Sequence, residues 1–269
     1  MKLKLIATAI ALTLSAASHA TNIVLPTTAG GSDVLLSVWE QGAAGAPDQS
    51  FTLDTGINMA TFLANPTSLS ATLLSTDSLW TSFLASSNVA SLQWAVEASG
   101  KVVSPNPADG TGKQPSILST ITAGTTAAAV GQFTVVIGGM SGQNLGYINA
   151  LNQIAPNPQE SVNPVGTNAY FQGYQMDSWN LQTNGVNGPW TASNALGTSA
   201  QVLQLTNSKN SPDVGYANLL AGTISFAQSG ANYVLSYNVA AVPEAPASMM
   251  GLAGLGLLAF MAARRRKDA

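Results

Sequence analysis

Short runs of alternating apolar and polar residues are the dominant pattern between residues 21 and 239. A period of two is typical of β-strands, whose successive side chains point to opposite faces of a sheet. Clusters of Gly, Asn, Asp and Ser separate the runs, as expected of turns. The pattern predicts strands at Asp33–Glu40, Ser50–Leu53, Leu92–Val96, Gln132–Ile137, Gln201–Leu205, Gly222–Ala227 and Tyr233–Val239. The last two runs form a predicted C-terminal hairpin.

Two stretches depart from this pattern and have the spacing of amphipathic helices. One runs from a cap at Thr76 to Ala85, and the other from Gln143 to Ile154. Segments rich in Pro and Gly at residues 104–115 and 155–167 predict exposed loops. We find no repeat of fixed period and no long linker. The sequence therefore predicts a mostly β fold, a single β-sandwich-like domain over residues 21–242 with short helical insertions.

The first 20 residues have the three parts of a secretory signal peptide. Lys2 and Lys4 form the charged start, and an apolar helical stretch follows. Ser18 and Ala20 are the small residues that a signal peptidase requires. We expect cleavage after Ala20 and export of the chain; the alternative is an uncleaved N-terminal helix.

The other end of the chain predicts a transmembrane helix. Residues 247–263 are uncharged, and their number is at the short limit for crossing a bilayer, about 17 residues. A basic cluster at residues 264–267 follows at once and should remain on the cytoplasmic side. The body of the chain is thus expected outside the inner membrane.

A short Pro-Glu element precedes this helix. The element and the basic cluster comprise Val242, Pro243, Glu244, Pro246, Arg264, Arg265 and Arg266. In this order they resemble the PEP-CTERM sorting signal of exopolysaccharide-producing Gram-negative bacteria, although Ala245 replaces the usual second proline. The resemblance covers residues 243–269 only. It implies that an exosortase cleaves the signal after transient membrane anchoring, and that the body passes to the cell surface or extracellular matrix.

Charge is scarce and unevenly placed. Charged residues make up 8% of the chain, against roughly 25% in an ordinary soluble domain. Residues 21–242 contain ten acids, three lysines and no His, Cys or Arg, a net charge of about −7. This composition excludes a nucleic-acid groove, which needs clustered Lys and Arg. It also excludes a Ser-His-Asp triad, a Cys nucleophile and a His or Cys zinc site, and we expect no metal and no cofactor.

Carboxylate chemistry survives this exclusion. The segment from Phe51 to Gly56 contains Asp54-Thr55-Gly56, which resembles the active-site loop of aspartic proteases. Those enzymes need two carboxylates that share a proton, and no second Asp-Thr-Gly or Asp-Ser-Gly occurs. The simpler interpretation is a strand end followed by a turn. A glycosidase would need two acids about 5 to 9 Å apart, and no pair stands out in the sequence.

Aromatic residues with neighbouring amides suggest a carbohydrate site. Aromatic rings offer flat apolar faces to sugars, and Asn and Gln both donate and accept hydrogen bonds. The candidates are Tyr170, Tyr174, Trp179 and Trp190; the alternative is that these side chains are part of the core. We predict a non-enzymatic surface or matrix protein associated with exopolysaccharide and biofilm, with signal peptidase and an exosortase as processing partners. The alternatives are a secreted carboxylate-dependent hydrolase and a permanently anchored periplasmic protein.

Overall fold

The computed structural model describes residues 22–40, 49–103, 114–122, 136–154, 159–171, 193–207 and 215–239. The chain divides into two units between Asn238 and Val239, and the fold below is that of the first. The predicted signal peptide, transmembrane helix and sorting signal lie outside these residues. Within the described ranges, no helix is long and apolar enough to cross a membrane.

Eleven strands in the described part of the chain form one antiparallel sheet. They are β1 (Asp33–Glu40), β2 (Gln49–Asn58), β3 (Ser70–Leu73), β4 (Leu92–Val103), β5 (Gln114–Thr122), β6 (Glu160–Pro164), β7 (Asn194–Ala195), β8 (Ser199–Asn207), β9 (Gly215–Leu219), β10 (Thr223–Ser229) and β11 (Asn232–Asn238). The order is β3-β11-β10-β8-β5-β4-β1-β2-β6, with β7 beside β4 and β9 beside β8. The mostly β prediction is confirmed, but the strands form one continuous sheet where a sandwich has two.

Three α-helices accompany the sheet in the described residues: α1 (Met59–Ala64), α2 (Ser78–Ser86) and α3 (Val136–Leu151). Short 3-10 turns lie at Pro66–Ser68 and Val89–Ser91. The carboxylate of Asp77 caps α2 by accepting from the backbone N–H groups of Leu79 and Trp80 at 2.9 and 3.0 Å. The cap is therefore Asp77, and the predicted cap at Thr76 was wrong by one residue.

The sheet curls around one of its faces. Leu36 of β1 and Phe51 of β2 share a hydrophobic cluster with Phe226 of β10 and Leu235 of β11, although these strand pairs lie toward opposite ends of the sheet. Trp80 of α2 closes the space between them. Its ring centroid is 5.0 Å from that of Phe51, 5.8 Å from that of Phe226 and 5.1 Å from that of Tyr233. We call this side the concave face.

The opposite face is covered by α3. Leu35 and Trp39 of β1 lie on this side, as do Ile117 of β5 and Leu203 of β8. Tyr147, Ile148 and Leu151 of α3 complete the cluster. Because both faces of β1 are covered, all eight of its residues are buried. We call this side the α3 face.

Several predicted elements were misplaced. The strand predicted at residues 132–137 is wrong for Val136 and Ile137, which begin α3; its other residues lie outside the described part. The predicted loop at residues 155–167 contains the edge strand β6, and the predicted loop at residues 104–115 ends inside β5. Helix α1 was not predicted. Strands β3, β7 and β9 were not predicted either. The two strands that extend into predicted loops, β5 and β6, both contain proline, a residue that signals a loop unless the strand lies at an edge or begins there.

Candidate functional site

Polar side chains interrupt the apolar packing of the α3 face. Leu35 of β1 is paired with Asp54 of β2 on one side and with Glu97 of β4 on the other. Ser37 is paired with Thr52 of β2. Paired residues of neighbouring strands project to the same side of a sheet. Register thus places two carboxyl groups and two hydroxyl groups, those of Ser37 and Thr52, on the α3 face of the sheet.

Glu97 is the most buried of these acids. It is 0% exposed, and its Oε1 accepts a hydrogen bond from the hydroxyl of Ser37 at 3.0 Å. Its Oε2 has no hydrogen-bond partner among the described residues. Burial raises the pKa of Glu97 well above its usual value, and the hydrogen bond from Ser37 opposes this only in part. Burial therefore favours the protonated form of this carboxyl group over the charged form.

Tyr147 connects α3 to the hydrogen-bonded side chains of Ser37, Glu97 and Thr52, which we call the polar row. Its hydroxyl lies 3.3 Å from the hydroxyl of Ser37 and forms a short hydrogen bond with that of Thr52. Its ring packs edge-on against Phe171, with the centroids 5.9 Å apart. Burial, and then the neighbouring Glu97 carboxyl, raise the pKa of Tyr147. The phenol stays protonated and acts as a fixed hydrogen-bonding group.

Asp54 has a second carboxylate near it. The side chain of Asp54 accepts from the backbone N–H of Gly56 at 2.8 Å, and that of Asp33 accepts from the backbone N–H of Val24 at 2.7 Å. Burial first, and then the charge of Asp33, raise the pKa of Asp54 to about 7. Burial also raises the pKa of Asp33. The Asp54-Thr55-Gly56 motif lies within β2 opposite a bulge, so the predicted strand end at Leu53 was wrong.

A second carboxyl pair joins α2 to the edge of the sheet. Burial, and then the charge and hydrogen bond of Asp77, raise the pKa of Glu160 to about 7. Asp77 is also the cap of α2. Below this pKa, Glu160 is protonated and donates its proton to a hydrogen bond with Asp77. The pair thus fastens β6 to α2.

An amide-rich pocket of about 440 Å³ opens between α3 and the turn that follows β6. The described residues that line it are Gly146, Asn149, Ala150, Gln153, Ile154, Asn163, Thr167, Asn168 and Ala169. None of these nine is charged, and four are Asn or Gln. The volume is within the range of roughly 300 to 1,000 Å³ that is typical of small-molecule sites.

Hydrogen bonds hold both walls of the pocket. Asn152, beside Gln153, forms a two-way bond with the backbone of Ile23, at 2.8 Å to its N–H and 3.0 Å to its carbonyl oxygen. On the opposite wall, the hydroxyl of Thr167 donates to the carbonyl oxygen of Pro164 at 2.8 Å. The backbone N–H of Phe171 donates to the hydroxyl of Ser50 at 3.0 Å. The pocket is therefore formed in advance of any ligand.

The sequence-predicted site residues are only partly described. Tyr170 is 3% exposed, so its ring is not displayed at the surface. Tyr174, Trp179, Trp190, the signal-peptide residues Ser18 and Ala20, and the sorting-signal residues all lie outside the described ranges. In the part of the chain that the structure describes, no group of three or more His, Cys, Asp and Glu is placed to hold a metal ion.

The C-terminal end of the chain is similar to a known sorting motif. Residues 241–267 match the model of the PEP-CTERM protein-sorting motif. The chain carries a PEP-CTERM sorting motif. This confirms the resemblance seen at Pro243, Glu244 and the arginine cluster, and it indicates export, transient membrane anchoring and processing by an exosortase. The comparison with curated proteins and that with solved structures found no match.

Proposed function

We propose that the body of this chain is a non-enzymatic protein of the cell surface or extracellular matrix, released by an exosortase and associated with exopolysaccharide in the biofilm. The PEP-CTERM motif at residues 241–267 is the observation that carries the proposal. Signal peptidase would cut after Ala20, and the helix at residues 247–263 would hold the chain in the inner membrane until the second cut. The low charge of the body and its amide-lined pocket are compatible with a hydrated, neutral polymer.

Substitution within the motif tests the sorting step. In the double variant Pro243→Ala/Glu244→Ala, we expect the unprocessed chain to accumulate in the inner membrane, because the Pro-Glu element would no longer be recognised. The variant Ala245→Pro is the matched control, since it restores the usual Pro-Glu-Pro and should be processed at least as well as the parent. Immunoblots of membrane, surface and medium fractions give the readout. Equal release of all three proteins would contradict the proposal.

A carboxylate-dependent hydrolase is the second candidate, and Asp54 and Asp33 are the observation that favours it. The pKa of Asp54 is raised to about 7 beside Asp33, and a carboxyl group with a raised pKa next to a second acid can serve in proton transfer in such enzymes. Asp54→Asn should abolish hydrolysis if this candidate is correct, whereas Asn218→Ala, at an exposed residue of β9, should leave it unchanged. The assay is turnover of a panel of peptides and polysaccharides by the full chain. A parent protein without turnover would dispose of this candidate.

A further inference from the structure

The amide-rich pocket beside α3 has a surface suited to uncharged hydroxyl groups. We propose that it binds a short stretch of neutral saccharide, with Asn149 and Asn168 on the rim and Asn163 at the floor as the principal hydrogen-bonding side chains. The inference rests on the proposed function in that it takes the ligand to be a surface polysaccharide. The binding chemistry itself is argued from the pocket.

The lining matches a sugar in its hydrogen-bonding capacity. Each sugar hydroxyl donates and accepts, and each primary amide offers two donor hydrogens and an acceptor oxygen. Asn149, Gln153 and Asn168 are exposed and can reach a ligand from the two sides of the opening. Ala150 and Ala169 add small apolar surfaces that suit the C–H faces of a sugar ring. A site of this kind recognises polyhydroxyl compounds.

The floor of the pocket is held in place. Asn163 is 4% exposed, and its side-chain N–H donates to the hydroxyl of Ser161 at 2.9 Å. It belongs to β6, which pairs with β2 over its full length. A hydrogen-bonding group fixed on a strand loses little conformational entropy when a ligand arrives. Specificity for one orientation of the sugar is therefore assigned to Asn163, and the rim amides adapt around it.

The charge of the protein disfavours an anionic polymer as the ligand of the pocket. The described lining has no Lys or Arg to pair with a carboxylate or sulfate group. The body also has ten acids against three lysines, which repels a polyanion. The structure thus favours a neutral glycan over a polyuronate.

Calorimetric titration of the full chain with oligosaccharides tests the proposal. The protein is held in a phosphocholine detergent, because the head group of a glycoside detergent is itself a saccharide and would compete. The probes are neutral hexasaccharides built from glucose, mannose, galactose or N-acetylglucosamine, and an oligogalacturonate serves as the anionic comparison. We expect at least one neutral hexasaccharide to bind and the oligogalacturonate to give no heat of binding.

Two variants locate the site. Asn149→Ala/Asn168→Ala should weaken binding by about tenfold or more, since each lost hydrogen bond accounts for a several-fold change in affinity. Asn218→Ala, at an exposed amide on β9 away from the pocket, should bind as the parent does. Both are surface changes, and circular dichroism melts verify that the fold is kept.

Three results would overturn the proposal: no binding of any neutral hexasaccharide, equal binding of the oligogalacturonate, or unchanged affinity in the double variant. None of them depends on export or processing. A chain that binds a neutral glycan but is never released from the membrane would support the saccharide site and contradict the proposed function. A chain that is released but binds no neutral glycan would support the proposed function and contradict the saccharide site.

Discussion

The concave face and the α3 face of the sheet are both buried, yet their chemistry differs. The concave face is a cluster of aliphatic and aromatic side chains around Trp80. The α3 face mixes Leu35 and Trp39 with the hydrogen-bonded row of Ser37, Glu97 and Tyr147. Among the described residues, buried side-chain atoms without a hydrogen-bond partner include Trp39 Nε1, Glu97 Oε2 and Asn144 Nδ2 on the α3 side. The concave side has a counterpart in Glu40 Oε2, at the end of β1.

The difference indicates that the two faces have different roles, one in stability and the other in forming the pocket. A polar group buried without a partner costs free energy, whereas buried apolar area stabilises the fold. The concave face therefore supplies stability, and the α3 face gives some of it up. The pocket lies on that second side, between α3 and the turn after β6. Local departures from optimal packing are expected where a surface has a function.

Removal of the Trp80 side chain should give the largest effect. Trp80 is 1% exposed and contacts three aromatic rings on separate strands, so Trp80→Ala leaves a large cavity in the concave face. We expect the free energy of unfolding to fall by about 3 to 5 kcal/mol. Urea denaturation followed by circular dichroism measures it. Leu79→Ala, at an exposed residue of the same helix, is the control, and a similar small loss in both variants would refute the stabilising role of the concave face.

Replacement of Glu97 by Gln tests how much the buried carboxyl group on the α3 face lowers the stability of the fold. The pKa of Glu97 is raised in the folded state, so above its unfolded value the unfolded chain loses the proton first and the parent loses stability as pH rises. Glu97→Gln cannot ionise, so we expect its stability relative to that of the parent to be higher at about pH 7 than at about pH 4. Denaturation midpoints at the two pH values provide the measurement. A difference in stability between variant and parent that is the same at both pH values would contradict a raised pKa for Glu97.

Each face includes a buried tyrosine, Tyr147 on the α3 face and Tyr237 on the concave face. Tyr147→Phe removes the hydroxyl that bonds Ser37 and Thr52 in the closed polar row, and the free energy of unfolding should fall by about 1 to 2 kcal/mol. Tyr237→Phe removes one hydrogen bond, to the carbonyl oxygen of Ala221 on a partly exposed loop, and should cost less, about 0.5 kcal/mol. The same denaturation experiment compares them. A larger loss for Tyr237→Phe would show that the Tyr147 hydroxyl in the polar row does not contribute more to stability than the Tyr237 hydroxyl.

The smallest effect on stability is expected at the rim of the pocket. Asn149→Ala/Asn168→Ala alters exposed side chains and should change the free energy of unfolding by less than about 0.5 kcal/mol. An unchanged free energy of unfolding would show that Asn149 and Asn168 have no structural role, so that a loss of saccharide binding in the same variant reports on binding alone. A loss of several kcal/mol would mean that the rim amides hold α3 and the turn in place.

Local pattern was sufficient for part of the fold. The alternation at Asp33–Glu40 predicted β1 with the bounds that the structure has, and the C-terminal hairpin was found within about two residues at each end. β6 was missed because Glu160, Asn163 and Pro164 have no apolar alternation, as is common in a strand at the edge of a sheet. The choice between one curled sheet and two packed sheets depends on pairings distant in sequence, such as that of β5 with β8.

The candidate site depends almost wholly on such distant pairings. No motif marks Glu97, which becomes part of a polar row only because Leu35 lies between it and Asp54. The acid near Asp54 is Asp33 of β1, which belongs to no Asp-Thr-Gly motif and therefore could not be found from a second copy of the motif. The pocket unites residues 146–154 with residues 163–169, each an unremarkable polar stretch in the sequence. The sorting motif, in contrast, is linear and was found from its residues alone.

The intact mass of the protein recovered from the producing cells, in the envelope and in the medium, tests the central claim most directly. The account predicts a species that begins at Thr21 and ends near Pro243, found at the cell surface or in the medium. A species that begins at Thr21, still has Arg264 to Ala269 and occurs only with the inner membrane would contradict it. That result would make the chain a permanently anchored periplasmic protein.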